Sequence, residues 1–234
     1  MSPQAPGAPD PIPAARAPAA SPVPLPPPAQ DLPLTWRETR ALIRSDLDRL
    51  VRHLQQPDTF AHRAYDFLLP GMQALFWHRI NRYLLLRGWR RLASVLHLMA
   101  IYLTRAEVPP TTSIGPSALI AHATGVYLFG RIGARLTVQG SGGCGGGFGE
   151  TEIGGGPGYA VLGDDVTLAF GARVLGPVRI GDGVKVGPGA LVTDDVPAGA
   201  LVMWAKPRII QGGALAAAPA AAPAAPPVNP PPAP

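Results

Sequence analysis

The chain has 234 residues, with 30 prolines, 28 glycines, a single cysteine and a formal net charge of +5. One cysteine excludes an internal disulfide and fits a reducing cytoplasm; no basic stretch precedes an apolar core near the start, so no signal peptide is expected. The longest apolar run, residues 92–103, contains His97 and is too short to cross a bilayer, and no nucleic-acid motif accompanies the positive charge.

Residues 1–33 are mostly Pro, Ala and small polar residues, and residues 211–234 mostly Ala and Pro. Such segments bury too little apolar surface to offset the entropy of ordering, so both read as disordered tails. The foldable part is about 34–210. It opens on Thr35, with Glu38 three residues on: a capping box for a first helix that runs to about Gln55 on the apolar spacing of Trp36, Leu42, Ile43, Leu47 and Leu50. A second helix is expected over residues 59–68, stopped by Pro70 and Gly71, a third over 72–86, ended by Gly88, and a fourth over 89–105. Residues 34–106 thus read as a helical domain. It is apolar on more than one face and calls for a partner: the end of the next domain, other subunits, or both. Arg79, Arg82, Arg87, Arg90 and Arg91 form a basic cluster on it, read either as a solvated helix face or as a surface for anionic lipid, nucleic acid or an acidic cofactor.

From Ile114 the pattern changes. Ile114, Ile120, Val126, Ile132 and Val138, then Leu162, Leu168, Val174, Ile180, Val186 and Val192, recur every six residues, and the gap between the two runs keeps the phase. The next residue is often Gly or Ala. Neither a helix nor a simple strand has this period; a strict hexapeptide marks a parallel β-helix, with each aliphatic side chain stacked on its equivalent in the next coil. Residues 107–210 are assigned to that domain. Residues 139–161 interrupt it with a glycine-rich stretch expected to be a long loop rather than a strand wall. Its N–H groups suit an anion-binding nest, but it lacks the ending of a P-loop. Cys144, within it, has no visible activating neighbour and reads as incidental.

On these residues the chain resembles the serine acetyltransferases and their hexapeptide acyltransferase relatives, over roughly residues 66–210. The resemblance is carried by Leu69-Pro70-Gly71 with Ala74 and His78-Arg79-Ile80; by Ser113-Ile114-Gly115 followed by His122-Ala123-Thr124-Gly125; by Leu136-Thr137-Val138; and by Val174-Leu175-Gly176 with Ile180-Gly181. It implies a left-handed parallel β-helix and transfer of an acetyl group from acetyl-CoA to a hydroxyl, with acetyl-CoA a co-substrate and no permanently bound cofactor or metal. It implies His122 as the general base and Glu107, fifteen residues upstream, in the place of the family's orienting aspartate. CoA contacts are implied near Gly140, Phe170, Pro188, Lys206 and Arg208, the last two for its phosphates. It further implies a cytoplasmic homotrimer or dimer of trimers, with active sites between subunits.

The same resemblance exposes departures. The family's aspartate before the histidine is Ala121 here, and its Arg-His pair after the glycine loop falls on Gly158-Tyr159. Without charged partners for an ammonium and a carboxylate, free serine loses its obvious means of recognition. The expected acceptor is therefore a sugar or polysaccharide hydroxyl. A true serine acetyltransferase and a non-catalytic β-helix assembly protein are the alternatives. The family's complex with cysteine synthase, which captures a terminal isoleucine, is not expected of a sequence ending in Pro-Ala-Pro. A hexapeptide metalloenzyme site needs three histidines; only His122 of the five lies in the repeats.

Overall fold

The computed structural model describes residues 34–147 and 158–205. Both tails assigned to disorder, the centre of the glycine-rich stretch, and Lys206 and Arg208 lie outside the described residues.

Four helices lead the chain: α1 (Trp36–Leu54), α2 (Phe60–Leu68), α3 (Pro70–Leu86) and α4 (Arg90–Thr104). The capping box forms as expected: the Thr35 hydroxyl accepts from the Glu38 N–H while the Glu38 carboxylate accepts from the Thr35 N–H. Thr59 caps α2 through its hydroxyl. Pro70 does not merely stop α2. It occupies the first turn of α3, where its missing N–H costs nothing.

Short strands follow at each turn of the coil: β1 (Ser113–Ile114), β2 (Leu119–Ile120), β3 (Tyr127–Leu128), β4 (Arg131–Ile132), β5 (Thr137–Val138), β6 (Gly143–Gly145), β7 (Val161–Leu162), β8 (Thr167–Leu168), β9 (Arg173–Leu175), β10 (Arg179–Ile180), β11 (Lys185–Val186), β12 (Leu191–Val192) and β13 (Leu201–Val202). They make three parallel sheets, ordered β1-β4-β7-β10, β13-β11-β8-β5-β2 and β12-β9-β6-β3. Three faces of parallel strands, visited in turn, are a triangular β-helix. Every residue of the six-residue beat is buried, from Ile114 at 5% exposure to Val138, Leu168 and Val174 at 0%. A second inward row stands two positions earlier at Ala118, Leu136, Ala160, Val166, Val178, Val184 and Ala190, and closes the core.

Two local readings change. Val126 is buried, but the residue stacked in its row is Leu128, paired in register with Cys144, which in turn pairs with Val174. The corner between Ile120 and Leu128 is two residues longer than the corner between Val138 and Cys144 beneath it. The next corner, at Phe129–Gly130, is correspondingly shorter, so the beat recovers by Ile132. The first part of the glycine stretch is also strand, not loop: β6 pairs with β3 on one side and β9 on the other. Glycine suits that wall because a Cβ on Gly143 would lie 2.1 Å from the Tyr127 carbonyl oxygen. On either side of the residues outside the description, Gly146 bridges Tyr159.

The helices seat on the first coil through buried polar struts. The Arg79 guanidinium, 1% exposed, donates to both carboxylate oxygens of Asp46 (3.0 and 3.2 Å) and to the carbonyls of Ile114 and Gly115. Asp46 also accepts from the Ala118 N–H at 2.8 Å. Arg82 donates to the carbonyls of Pro110 and Thr112, and Arg49 to the Leu136 carbonyl and the Thr137 hydroxyl. Two of the five arginines read as a surface cluster are thus interior fasteners, leaving Arg87, Arg90 and Arg91 exposed. Leu50, Met72 and Leu119 form a small apolar core beside the struts. Gly71 lets α3 touch β2: a Cβ there would stand 1.9 Å from the Ile120 carbonyl oxygen.

Candidate active site

The lengthened corner carries His122. The extra residues form a turn over residues 121–125 in which Ala123 packs into the core and Gly125 stands at φ +71°, while the imidazole is exposed. Directly below it in successive coils stand Gly140, Phe170 and Pro188. The column is tied by main-chain bonds: Ser141 N–H to Thr124 carbonyl (2.9 Å), Gly171 N–H to Gly140 carbonyl (3.0 Å) and Gly189 N–H to Phe170 carbonyl (2.9 Å). The rings of His122 and Phe170 have centroids 6.3 Å apart, and the Gly140 Cα lies against both side chains. The structure therefore gathers four residues singled out in the sequence, spread over 66 positions, along one edge of the prism.

On its other side His122 opens into a cavity of about 440 Å³ between the corner and the helices. Leu50 and Leu54 of α1, Leu69 at the α2–α3 joint, and Met72 of α3 give it apolar walls, with His53, Ala121 and Thr124 beside His122. Among the described residues that line it there is no carboxylate, lysine or arginine. His53 was not found from the sequence. It stands in the last turn of α1 beside Arg52, where a basic residue needs no further reason than the helix dipole.

Glu107 is placed differently from expectation. Its backbone is fixed beside β3, its N–H donating to Val126 and its carbonyl accepting from Leu128. No hydrogen bond joins its carboxylate to His122 among the described residues. It lines a second cavity, of about 470 Å³, with Ile101, Tyr102, Arg105, Tyr127 and Phe129. The reason is register: Glu107 sits level with Tyr127, on a flat face, while His122 projects from the corner before it. Glu107 acts electrostatically on His97, whose pKa is lowered by burial and partly restored by this carboxylate. Tyr159 stacks on Phe129 at 5.9 Å and 16° between planes, so within one chain it is grouped with that second cavity and not with His122.

Cys144 is fully buried, its Sγ 3.3 Å from the Phe129 carbonyl, and burial pushes its thiol pKa up to about 12. It is a core residue, filling a beat position. Among the described residues no group of three or more His, Cys, Asp or Glu could hold a metal ion, and no helix is long and apolar enough to cross a membrane.

Three parallel faces, a hexapeptide core and a histidine raised at a corner define a hexapeptide-repeat transferase. A family model, bacterial transferase hexapeptide (six repeats), matches residues 159–194. The serine acetyltransferase of Mycobacterium tuberculosis is 32% identical over 164 residues, covering 68% of this chain and 70% of that protein. That of Helicobacter pylori strain 26695 is 32% identical over 169 residues, covering 70% of this chain and 96% of the relative. The chain belongs to the serine acetyltransferase family, as an acyltransferase that uses acetyl-CoA. Among solved structures, serine acetyltransferase isoform 3 of Entamoeba histolytica in complex with cysteine superimposes with a TM-score of 0.64 at 24% identity. It covers 76% of this chain, which spans 63% of the Entamoeba chain, a little under two thirds. The fold is accordingly the left-handed β-helix expected from the resemblance.

Proposed function

We propose that the protein moves the acetyl group of acetyl-CoA to an uncharged acceptor hydroxyl, with His122 as general base. The observation that carries this reading is the cavity at His122: apolar on most sides, with His122, His53 and Thr124 as its polar side chains. A hydroxyl bound there lies within reach of the imidazole. His122 takes the hydroxyl proton as the oxygen attacks the thioester carbonyl. The new C–O bond forms, the C–S bond breaks, and the imidazolium returns the proton to the departing thiolate. CoA is assigned to the column of Gly140, Phe170 and Pro188, with Lys206 and Arg208 for its phosphates.

For the acceptor, a neutral sugar or polysaccharide-precursor hydroxyl is favoured by the absence of a carboxylate from the described lining, with Ala121 where the family resemblance puts an aspartate. An ammonium placed there meets no counter-charge, and discrimination of that kind reaches several orders of magnitude when the polar partner is present. Serine itself is the second reading, favoured by the relatives, which are serine acetyltransferases. The family resemblance supports a trimer in which sites form between subunits. A folded monomer in sedimentation at micromolar concentration overturns that part.

The deciding experiment is thiol release from acetyl-CoA, scanning L-serine, simple sugars and nucleotide sugars. Turnover with a sugar, lost in His122→Ala, supports the proposal. A kcat/KM for serine of about 10⁴ M⁻¹s⁻¹ or more selects the second reading. No turnover with any acceptor, despite CoA binding, returns the chain to an assembly role.

A further inference from the structure

The side of α1 that meets the first coil is used residue by residue. The Ser45 hydroxyl accepts from the Ser117 N–H at 3.0 Å, and the Asp46 carboxylate from the Ala118 N–H at 2.8 Å. One turn on, Arg49 donates to the Leu136 carbonyl (2.8 Å) and the Thr137 hydroxyl (2.7 Å). Leu50 shares its small core with Leu119 and Met72. Asp46, Arg49, Leu50 and His53 stand at i, i+3, i+4 and i+7, which is one side of a helix. The contacts advance along both segments together: residues 45 and 46 at 117 and 118, residue 50 at 119, then His53 at the corner that bears His122, where both line one cavity. The helix stops there, with Gln55 left-handed at φ +53°. The His53 imidazole is thus carried on the last turn of a helix fastened to the coil.

The helix dipole accounts for a basic residue in this turn, and Arg52 already supplies one. It does not account for an imidazole on the side that faces the coil. Among the described residues no hydrogen bond engages the side chains of His53, His122 or Thr124, the three polar side chains of the cavity lining. The fold makes no use of their donors and acceptors, which are left to solvent or to a ligand. The walls between them are Leu50, Leu54, Leu69 and Met72. A sugar ring matches this arrangement. Its C–H faces suit apolar walls, and its hydroxyls point from the rim in several directions. A neutral imidazole has one N–H donor and one acceptor nitrogen, and a hydroxyl can pair with either.

We propose that His53 is a second acceptor-binding residue: it holds a non-reacting hydroxyl while His122 takes the proton of the reacting one. The acceptor is then a polyhydroxy compound of the sugar class, engaged by two of its hydroxyls at once. His53 moves no proton in the reaction; it selects which hydroxyl is presented to His122. The inference rests on the reading of this cavity as the site of an uncharged acceptor in acetyl transfer.

The test is thiol release from acetyl-CoA by the full chain with the methyl glycosides of glucose, galactose and mannose, their monodeoxy analogues, L-serine and a nucleotide sugar. With the glycoside that is turned over, loss of one particular non-reacting hydroxyl is expected to raise KM by about 2–10-fold, the range for one neutral hydrogen bond, with a smaller change in kcat. His53→Leu raises KM for the parent glycoside by a similar factor and has no further effect on that one analogue. His53→Gln, which keeps a donor and an acceptor, recovers part of the loss. Unchanged KM in His53→Leu overturns the proposal. So does a loss of the same size on the parent and on every analogue, because His53 then acts only through the fold. No turnover of any glycoside also overturns it. If L-serine or the nucleotide sugar then still releases thiol, and His122→Ala abolishes this, acetyl transfer by His122 stands without the second contact. If no acceptor releases thiol, the acetyl-transfer reading fails as well.

Discussion

The coils and the helices of this protein are held together by opposite means. In the β-helix a side chain stacks on the same kind of side chain one coil away, and the main chain supplies nearly all the polar contacts. At the helix–coil junction the contacts are singular: Arg79 on Asp46 and two carbonyls, Arg82 on the carbonyls of Pro110 and Thr112, Arg49 on Leu136 and Thr137. A repeat satisfies itself everywhere except at its ends. There the first coil has carbonyls with no further coil to accept from, and a buried carbonyl without a donor is costly. Arginine, with five donors in a rigid fork, closes that end while its stem packs among apolar neighbours. The cavity beside His122 lies along the same junction, so the polar seam between the regions also sets the position of His122 against α1 and α3.

The sharpest break of this comparison is at the site itself. His122→Ala is expected to lower acetyl transfer by about 10²–10⁴-fold, the range for a general base, with CoA affinity little changed. Equilibrium CoA binding beside steady-state kinetics checks both halves. Glu107→Gln is expected to have a much smaller effect, because Glu107 lines the second cavity and its charge acts on His97. An equal loss in the two variants would mean that the subunit assembly brings them together.

Next in size is the strut. Arg79→Met leaves the Asp46 carboxylate buried without its cation and is expected to destabilise the fold by about 3–5 kcal/mol. Leu168→Ala, in the centre of the coil stack, is expected to cost about 2–5 kcal/mol through its cavity. The two regions separate in a second step. Adding Asp46→Leu to Arg79→Met removes the orphaned charge and is expected to recover part of the loss. A second core truncation beside Leu168 has no such partner and adds to it. Denaturant melts of the four variants measure this.

Gly71→Ala comes next. Its Cβ would meet the Ile120 carbonyl at 1.9 Å, so α3 must retreat from β2. Strain of this kind costs about 1–3 kcal/mol. Because Gly71, Ile120 and His122 line one cavity, acceptor KM is expected to rise even where the protein remains folded. Acid gives an effect of similar size. Burial and the guanidiniums of Arg79 and Arg82 hold the His78 pKa well below its usual value. The unfolded chain, with a histidine pKa of about 6.5, therefore binds a proton that the folded chain refuses. The stability is fully present above that pH and is lost as pH falls below it, by about 1.4 kcal/mol per pH unit. Stability measured from pH 7 to 5 in wild type and His78→Gln checks the sign.

The periodic half of the protein was legible because its physics repeats. Each buried Val, Ile or Leu declares its position through the next one, and an error at one corner is corrected by the beat after it, as at Val126 and Ile132. His122, Gly140, Phe170 and Pro188 were all named through the resemblance, and the coil register is what stacks them on equivalent corners. The junction was not. Arg79 and Arg82 look like surface arginines until the first coil supplies carbonyls some thirty positions later. His53 has no local mark that ties it to His122. Gly143 and Cys144 read as loop because glycine carries no strand signal, although close approach to Tyr127 is what selects it. Glu107 was paired with His122 through the family resemblance, and the coil register sets its backbone beside Tyr127.

The smallest expected effect tests the column as a path for CoA. An alanine Cβ at Gly140 would lie 3.0 Å from the edge of the Phe170 ring and 3.3 Å from the His122 Cβ. The contact is tight, but the Phe170 ring is 55% exposed and free to swing outward, whereas the His122 Cβ is held by the corner main chain. Gly140→Ala is therefore expected to change stability by less than about 1 kcal/mol, as for a change whose neighbour yields. If the pantetheine arm of CoA runs over Gly140 and Phe170, the displaced ring and the added methyl both stand in its way. KM for acetyl-CoA then rises several-fold while kcat, set by His122 and the acceptor, changes less. Phe170→Ala in the same background removes the obstructing ring and is expected to recover part of the lost affinity. A KM for acetyl-CoA unchanged in both variants would place the co-substrate on another edge of the prism, leaving His122 as base but removing Gly140, Phe170 and Pro188 from its binding.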